Sequence, residues 1–259
     1  MTDALAAEWW KLRSVRSTYW VLSVTALFTG FVLLLAFQMA HVWDGLAADR
    51  RDELLLRPLQ ELAGWGASLC LGILGVLSVT SEYRTGMIRT SLTALPGRRT
   101  LLLAKSTVIG AVALAAGEAV TIGSFLGTRL IVGDRPFPDQ RASIAHDLPG
   151  FVLAGTVVPV FALLGLAFGV LLRSTAGSIV SVVFAWHVLP LLACHLPGPW
   201  NARIGSVMPG ALPREMAGLS AENSVYGDLL SPGAAAAVLV AYVLVPLGFA
   251  AFLLTRRDV

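Results

Sequence analysis

The sequence predicts an all-α, polytopic membrane protein with six transmembrane helices. Of its 259 residues, 56% are hydrophobic and only 14% are charged, with a mean hydropathy of +0.75. Charged residues approach about a quarter of an ordinary soluble domain. Six apolar stretches come close to the roughly 20 residues that a spanning helix needs. Because little chain remains between them, residues 1–259 are predicted to form a single transmembrane domain.

The six predicted spans are joined by short polar connections. The spans cover about residues 19–39, 62–80, 103–126, 151–172, 177–196 and 234–254. The fourth and fifth are separated only by residues 173–176. Pro159, Pro190 and Pro246 fall inside spans, where neighbouring helices can satisfy the carbonyls that proline frees. We therefore expect kinks at these prolines, not breaks.

The basic residues predict the orientation. With a cytoplasmic N-terminus, the inner side collects 11 of the 19 basic residues and four acids, while the outer side collects 8 basic residues and 11 acids. Lysine and arginine favour the cytoplasmic loops of membrane proteins. The sequence thus predicts a multi-pass protein of the cell membrane with both termini in the cytoplasm.

The segment before the first span is basic and amphipathic. Leu5, Trp9, Leu12 and Tyr19 recur at helical spacing between polar residues. This pattern predicts a helix over about residues 3–17 that lies in the headgroup layer. An alternative is a merely basic stop before the span. The apolar run that follows is too long for a signal core and has no A-x-A site, so we expect no cleavage.

Four residues of this N-terminal helix are predicted to act at the interface. Two aromatic anchors and two basic residues make up the set: Trp9, Trp10, Lys11 and Arg13.

Residues 82–95, EYRTGMIRTSLTAL, are charged and helix-capable and lie between two apolar spans. Ile88, Leu92 and Leu95 predict one apolar stripe, with Arg84 and Arg89 elsewhere on the surface. Such a stripe fits a membrane surface or a groove in a partner protein. The alternative is a basic interfacial loop that only sets topology.

The ends of this segment carry their own signals. Glu82 is expected in the first turn of the new helix, where a carboxylate is favourable. Gly86 lowers helix propensity by about 1 kcal/mol relative to alanine, which indicates a bend or a close approach. Pro96 and Gly97 are expected to end the element.

The motifs of familiar enzyme chemistry are missing from the sequence. Its two lysines, Lys11 and Lys105, do not follow a glycine, so no P-loop is present. Ser68 lacks the surroundings of a nucleophile elbow, and H-E-x-x-H does not occur. We expect no catalytic residues and no enzyme activity on this chain. No nucleic-acid partner is expected either.

No cysteine framework or metal site is predicted. Cys70 and Cys194 both fall in spans, where a cysteine usually serves as a small packing residue. Cys194, His195 and His187 lie near one helix end, but they match no recognised ligand spacing and lack a carboxylate.

One acid and two glycine pairs stand out inside the spans. Glu118 is the sole acid well inside a span, so it must face protein or water. A polar site for a cation or substrate is possible, and so is a structural glutamate partnered by Thr121 or another helix. The glycines at positions 123 and 127, and at 165 and 169, favour close helix packing, more often within one chain than between two.

Two segments carry a resemblance to a known family. They are AEWWKLRSVRSTYW at residues 7–20 and GVLSVTSEYRTGMIRTSLTALPGRRTLLLAKS at residues 75–106. Together with the six-helix layout, they resemble the membrane subunits of type 2 ABC exporters, in particular short actinobacterial permeases. The motif-like segments make up roughly a fifth of the chain.

The resemblance implies an interfacial elbow helix at the N-terminus and a cytoplasmic coupling helix at residues 82–95 that docks on an ATPase. It implies short helices that fold back into the membrane within residues 197–233. The contact set for the ATPase would then be Glu82, Tyr83, Arg84, Gly86, Ile88 and Arg89.

The resemblance also implies the partners. They would be two copies of an ABC ATPase subunit, which bind ATP and magnesium, a second permease chain that is identical or closely related, and membrane lipid. This chain itself would hold no cofactor. The rival interpretation is an ATP-independent secondary transporter or a membrane scaffold, although one intramembrane acid and no detectable repeat argue against an ion-coupled carrier.

Overall fold

The computed structural model describes residues 1–47, 59–94, 97–133, 135, 144–218 and 229–256, and these residues are helical apart from turns and short connections. Twelve α-helices and one π-helical turn are described: α1 (Thr2–Ser14), α2 (Arg16–Gly45), α3 (Leu59–Thr85), α4 (Met87–Ala94), α5 (Arg98–Val132), α6 (Ile144–Gly155), α7 (Val157–Leu172), α8 (Thr175–Val183), the π turn (Phe184–Val188), α9 (Leu189–Cys194), α10 (Trp200–Ser206), α11 (Leu212–Met216) and α12 (Pro232–Arg256).

Six helical stretches are long and apolar enough to cross a membrane, as predicted, and this is compatible with a multi-pass membrane protein. They are Arg16–Gly45, Glu61–Thr85, Arg98–Val132, Leu148–Leu172, Thr175–Cys194 and Pro232–Arg256. Most extend beyond the predicted bounds, because charged and polar residues such as Arg16 and Arg98 continue the helix outside its apolar part.

Helices α3 and α7 form the centre of the bundle, and glycines let their backbones approach. A Cβ atom at Gly75 would overlap the Ala162 carbonyl of α7, and one at Gly165 would overlap the Gly72 carbonyl of α3. Gly169 likewise lies against Val79. The pair at 165 and 169 therefore packs within this chain, which is the role that the sequence favoured.

The glycines at 123 and 127 behave differently. Gly127 lies against Leu33 of α2, whereas a Cβ atom added at Gly123 would meet no other atom within 4 Å. Of this pair, Gly127 alone packs against another helix among the described residues.

The three prolines have different effects. Pro159 cannot donate to the carbonyl of residue 155, and the fourth span is interrupted at Thr156, between α6 and α7. Thr156 keeps α-helical backbone angles, with φ of −68° and ψ of −16°, so the interruption is a local kink, as expected. Pro190 follows the π turn, in which the Leu189 N–H bonds back to the Phe184 carbonyl. Pro246 lies inside an unbroken α12.

Both described ends of the chain lie at one end of the bundle. Glu8 of α1 contacts Lys105 near the start of α5, and the Arg98 guanidinium donates to the Leu254 carbonyl at 2.8 Å. We call this the terminal end. The opposite end carries α10, α11 and an ion pair between Arg135 and Asp44.

Candidate functional site

The N-terminal helix α1 docks on the bundle through a narrow stripe. Ala4, Glu8 and Leu12 are its buried residues, spaced four apart on one face. Trp9 and Tyr19, expected on the apolar stripe, are instead 47% and 54% exposed. Leu5 and Leu12 pack against the bundle as predicted, whereas Glu8, not Trp9, is buried between them.

That acid belongs to a cluster of four charged residues, of which three are buried and Lys11 is partly exposed. Glu8, Lys11, Glu82 and Lys105, here called the charge cluster, come from α1, the last turn of α3 and the start of α5. The Lys105 Nζ atom lies 2.5 Å from Glu8 Oε2 and 2.9 Å from Glu82 Oε1. The Lys11 Nζ atom lies 2.6 Å from Glu8 Oε1 and 3.2 Å from Glu82 Oε1. Two positive and two negative charges thus balance one another.

The two ammonium groups use all their hydrogen-bond donors. Lys105 donates its third hydrogen to the Ser78 carbonyl at 3.2 Å, and Lys11 donates its third to the Ser91 hydroxyl at 2.9 Å. Ser91 lies on α4, so the charge cluster also holds this helix. Glu82 Oε2 is buried and has no hydrogen-bond partner among the described residues. The group of the charge cluster that still lacks a hydrogen bond is therefore an acceptor.

The charges of the cluster shift the titration of the α1 residues. Burial raises the pKa of the Glu8 carboxyl, but the Lys105 and Lys11 ammonium groups outweigh burial and hold that pKa below its ordinary value. Burial lowers the pKa of Lys11, but its bonds to Glu8 and Glu82 outweigh this and raise the pKa above its ordinary value. Both shifts favour the charged forms.

The segment at residues 82–95 is folded differently from the prediction at its start. Helix α3 runs on to Thr85, so Glu82 lies in the last turn of α3 and not in the first turn of the new helix. Gly86 then turns the chain with φ of +72°, a conformation that favours glycine. The expected bend is therefore present. The proposed stop involves Pro96, which lies outside the described residues, as does Leu95.

Helix α4 presents one face to the bundle and one outward. Ile88 and Ser91 are buried, whereas Arg84, just before the turn, and Arg89 are exposed. Tyr83 is half-buried, and its ring lies 5.2 Å from the Arg173 guanidinium carbon. Of the six residues expected to contact a partner, Glu82 and Ile88 are too buried for direct contact, because the Gly86 turn folds α4 back on the bundle.

The short link between the fourth and fifth spans also reaches this end. Arg173 adopts a left-handed conformation with φ of 51°, which is uncommon for a residue with a side chain. Ser174 caps α8 by accepting from the Gly177 N–H at 3.3 Å. The link thus joins the α7–α8 turn to the last turn of α3 through Tyr83.

The predicted interfacial residues of α1 divide into two groups. Trp9, Trp10 and Arg13 are exposed, and the Arg13 guanidinium carbon lies 5.7 Å from the Trp10 ring centroid. Lys11 instead points into the charge cluster. Helix α1 ends at Ser14, earlier than predicted, because Val15 is extended and α2 starts at Arg16.

Glu118 lies beside the interruption of the fourth span. Its carboxyl group abuts Gly155, where a Cβ atom would come within 2.6 Å of it. The Thr121 hydroxyl donates to the Gly117 carbonyl at 2.9 Å and approaches the Glu118 backbone carbonyl at 3.4 Å, so Thr121 is directed to the backbone and not to the Glu118 carboxyl group. Glu118 Oε2 has no hydrogen-bond partner among the described residues.

Two of the three residues considered for metal binding lie together, with 3.2 Å between Cys194 Sγ and His195 Nδ1. Cys194 Sγ and His195 Nδ1 both lie near the Leu191 carbonyl, at 3.0 Å and 2.8 Å. Within the described ranges, no three histidine, cysteine or acidic residues are grouped so that they could hold a metal ion. Cys70 and Cys194 are free thiols.

Residues 197–218 at the opposite end pack on the bundle as two short helices, α10 and α11. The Tyr242 hydroxyl of α12 donates to the Val207 carbonyl at 3.0 Å, and Arg214 forms an ion pair with Glu61. Glu215 is buried and accepts from the Leu229 N–H at 3.2 Å. The rest of the predicted fold-back segment includes residues 219–228, which lie outside the described residues.

Sequence reasoning missed Glu8 and Lys105 as site residues. A signal existed, because an acid at the centre of the Ala4–Leu12 spacing and a lysine at the edge of an apolar span both need a partner when buried. No sequence pattern indicated that Glu8 and Lys105 pair with one another.

No protein-family model matches the chain, and a search of curated proteins finds no significant match.

Proposed function

We propose that the chain is the transmembrane subunit of an ATP-driven exporter, in which α4 receives force from a separate ATPase. The supporting observation is the charge cluster, which ties α1, α3, α4 and α5 together at one end of the bundle. A displacement of α4 pulls on Ser91 and Lys11, and through them on the ends of two spans. The six-helix layout and the resemblance of residues 7–20 and 75–106 support the same assignment.

The exposed residues near α4 define the contact surface in this proposal. Arg84, Gly86 and Arg89 are accessible, and Tyr83 is partly so. Glu82 and Ile88 are buried beneath this surface and hold α4 in place. In this mechanism α1 serves as the interfacial elbow, ATP and magnesium bind to the partner, and a second copy or a close relative of this chain completes the translocation path.

Charge reversal tests the proposal. We expect the double variant Arg84→Glu and Arg89→Glu to lose co-purification of a P-loop ATPase and ATP-dependent transport by reconstituted vesicles. Arg203→Glu is the matched control, because Arg203 is also an exposed arginine but lies at the opposite end. Retained partnering and transport in the double variant, with the charge cluster intact, would overturn the assignment.

One observation favours a second candidate, an ion-coupled transporter. Glu118 lies against the interruption of the fourth span, and broken helices next to an intramembrane acid occur at the ion sites of secondary transporters. In that case Glu118→Gln abolishes transport driven by an ion gradient in vesicles without ATP. Transport that needs ATP and survives Glu118→Gln eliminates this candidate.

A further inference from the structure

Two arginines flank the corner between α1 and α2 at the terminal end of the bundle. Arg13 lies in the last turn of α1, Val15 is extended, and Arg16 begins α2. Consecutive Cα atoms lie 3.8 Å apart, so those of Arg13 and Arg16 are at most about 11 Å apart. Both arginines are exposed, and their long side chains can converge on one anion over this spacing.

The positive charges of this corner have no acidic partner within the described part of the chain. Both acids of the charge cluster are held by its two lysines. Asp3, the other described acid at this end, lies ten residues before Arg13, which corresponds to about 15 Å along a helix. The corner therefore carries two uncompensated positive charges and matches an anion.

The corner lies where the exposed apolar face of α2 begins. Arg16, Trp20 and Leu27 recur at helical spacing along α2, and all three are exposed. Helix α2 is one of the six helices that are long and apolar enough to cross a membrane. When α2 spans a bilayer, this face borders lipid, and Arg16 at its end lies at the level of the headgroups.

Exposed aromatic side chains precede and follow the two arginines. They are Trp9, Trp10, Tyr19 and Trp20. Tryptophan and tyrosine are enriched where a membrane meets water, so these rings favour a lipid partner over a water-soluble one. The Arg13 guanidinium carbon lies 5.7 Å from the Trp10 ring centroid, a contact that leaves its N–H groups free to donate.

The chemistry of the guanidinium group specifies the anion. Its planar N–H donors match the oxygens of a phosphate, which every glycerophospholipid carries. In phosphatidylcholine a cation in the headgroup offsets the phosphate charge. Two uncompensated arginines therefore favour a lipid whose headgroup has a net negative charge.

We propose that the α1–α2 corner binds an anionic glycerophospholipid, whose phosphate accepts hydrogen bonds from Arg13 and Arg16. The site requires that the chain spans a membrane, but it does not depend on an ATPase partner. Helix α1 is then held by the charge cluster on its buried face and by lipid on its exposed face.

The test measures lipid binding to the purified full chain in an uncharged detergent. Native mass spectrometry counts the bound lipid molecules during titrations with phosphatidylglycerol, which has a net negative charge, and with phosphatidylcholine of the same acyl chains. We expect phosphatidylglycerol to bind more tightly. The difference should shrink as the ionic strength rises, because salt screens exposed charges.

Substitutions locate the site. Arg13→Gln should weaken phosphatidylglycerol binding roughly fivefold, and Arg13→Gln with Arg16→Gln roughly 30-fold, since each basic residue at an anionic lipid surface contributes about that factor of five. Arg203→Gln is the matched control and should leave the affinity unchanged. Arg203 is exposed and lies 5.8 Å from the ring centroid of Trp200, three residues earlier, but it has no second arginine beside it.

Equal affinity for the two lipids would overturn the proposal and would indicate that an acidic partner other than lipid occupies the corner. This comparison uses the unmodified chain, so it stands even where a variant fails to fold. Equal weakening by Arg13→Gln and Arg203→Gln would overturn the proposal too, because binding would then follow net charge alone. Unchanged affinity in the double variant, with helices intact by circular dichroism, would have the same consequence.

Discussion

At the scale of single residues, the charge cluster is tightly constrained, because its charges depend on one another. Glu8, Glu82 and Lys105 are each less than 6% exposed, so none is solvated well enough to stand alone. A buried ion pair stabilises little relative to apolar residues, but removal of one partner leaves an uncompensated charge. The cluster is therefore sensitive to single substitutions.

Replacement of Lys105 by methionine should lower the free energy of unfolding by about 3–5 kcal/mol, because Glu8 and Glu82 lose their shared buried partner. Denaturant unfolding in detergent micelles measures this change. Arg99→Met, at an exposed position one and a half turns earlier, should change it by less than about 0.5 kcal/mol. A similar, small effect of both substitutions would show that the cluster is solvated.

The stability of α1 docking should fall at both ends of the pH range, along an acid limb that Glu8 controls and an alkaline limb that Lys11 controls. The Glu8 pKa lies below its ordinary value of 4.5, so its contribution is present above that pH and is lost as the pH falls through the shifted pKa. The Lys11 pKa lies above its ordinary value of 10.5, so its contribution is present below that pH and is lost as the pH rises through the shifted value. Stability should be flat between these limbs.

Proteolytic release of α1 across the pH range measures this profile. Glu8→Gln should flatten the acid limb, and it should also move the alkaline limb to lower pH, because the Glu8 carboxylate helps to raise the Lys11 pKa. An unchanged acid limb in Glu8→Gln would mean that another carboxyl group controls the docking of α1.

At the scale of elements, close contact between α3 and α7 organises the bundle. Gly72 and Gly75 on α3, and Gly165 and Gly169 on α7, bring the two backbones together. Tight contact of this kind is favourable inside a membrane, where the hydrophobic effect does not drive one helix against another. It also makes the interface intolerant of added atoms.

Gly75→Ala should destabilise the protein by about 1–3 kcal/mol, since the new methyl group overlaps the Ala162 carbonyl and forces the helices apart. The matched substitution Gly123→Ala, at a helical glycine with no atom within 4 Å, should be neutral or stabilising by up to about 1 kcal/mol. Thermal unfolding followed by circular dichroism compares the two. Equal effects would show that α3 and α7 do not pack as described.

The sequence indicated these elements better than their boundaries. Apolar length alone predicted all six spans, because that property is local. The continuation of α3 through Glu82 to Thr85 was not predictable from the polar character of those residues. It depends on Lys105 and Lys11, which compensate the Glu82 charge from other helices.

At the scale of the whole molecule, α1, α4, the α7–α8 turn and the end of α12 share one end of the bundle. The contacts between Arg98 and Leu254, and between Arg173 and Tyr83, join these parts. The basic bias of the sequence predicts that this end faces the cytoplasm.

Single cysteines introduced into a variant without Cys70 and Cys194 test this orientation. In intact cells, a membrane-impermeant maleimide should label Ala47→Cys and Arg203→Cys but not Asp3→Cys or Thr90→Cys, all of which are exposed positions. Permeabilised cells should label all four. Labelling of Thr90→Cys in intact cells would invert the topology and would remove any contact between α4 and a cytoplasmic ATPase.

The sequence by itself determined the all-helical fold class, the six helices that are long and apolar enough to span a membrane, and the bend at Gly86, because hydrophobic length and backbone freedom are properties of short stretches. Only the tertiary structure decided which charges meet. Glu8 and Lys105 are 97 positions apart, and their 2.5 Å contact arises where α1 folds back on α5. A charged residue in an apolar stretch indicates that a partner is needed, but the identity of that partner depends on how the helices pack.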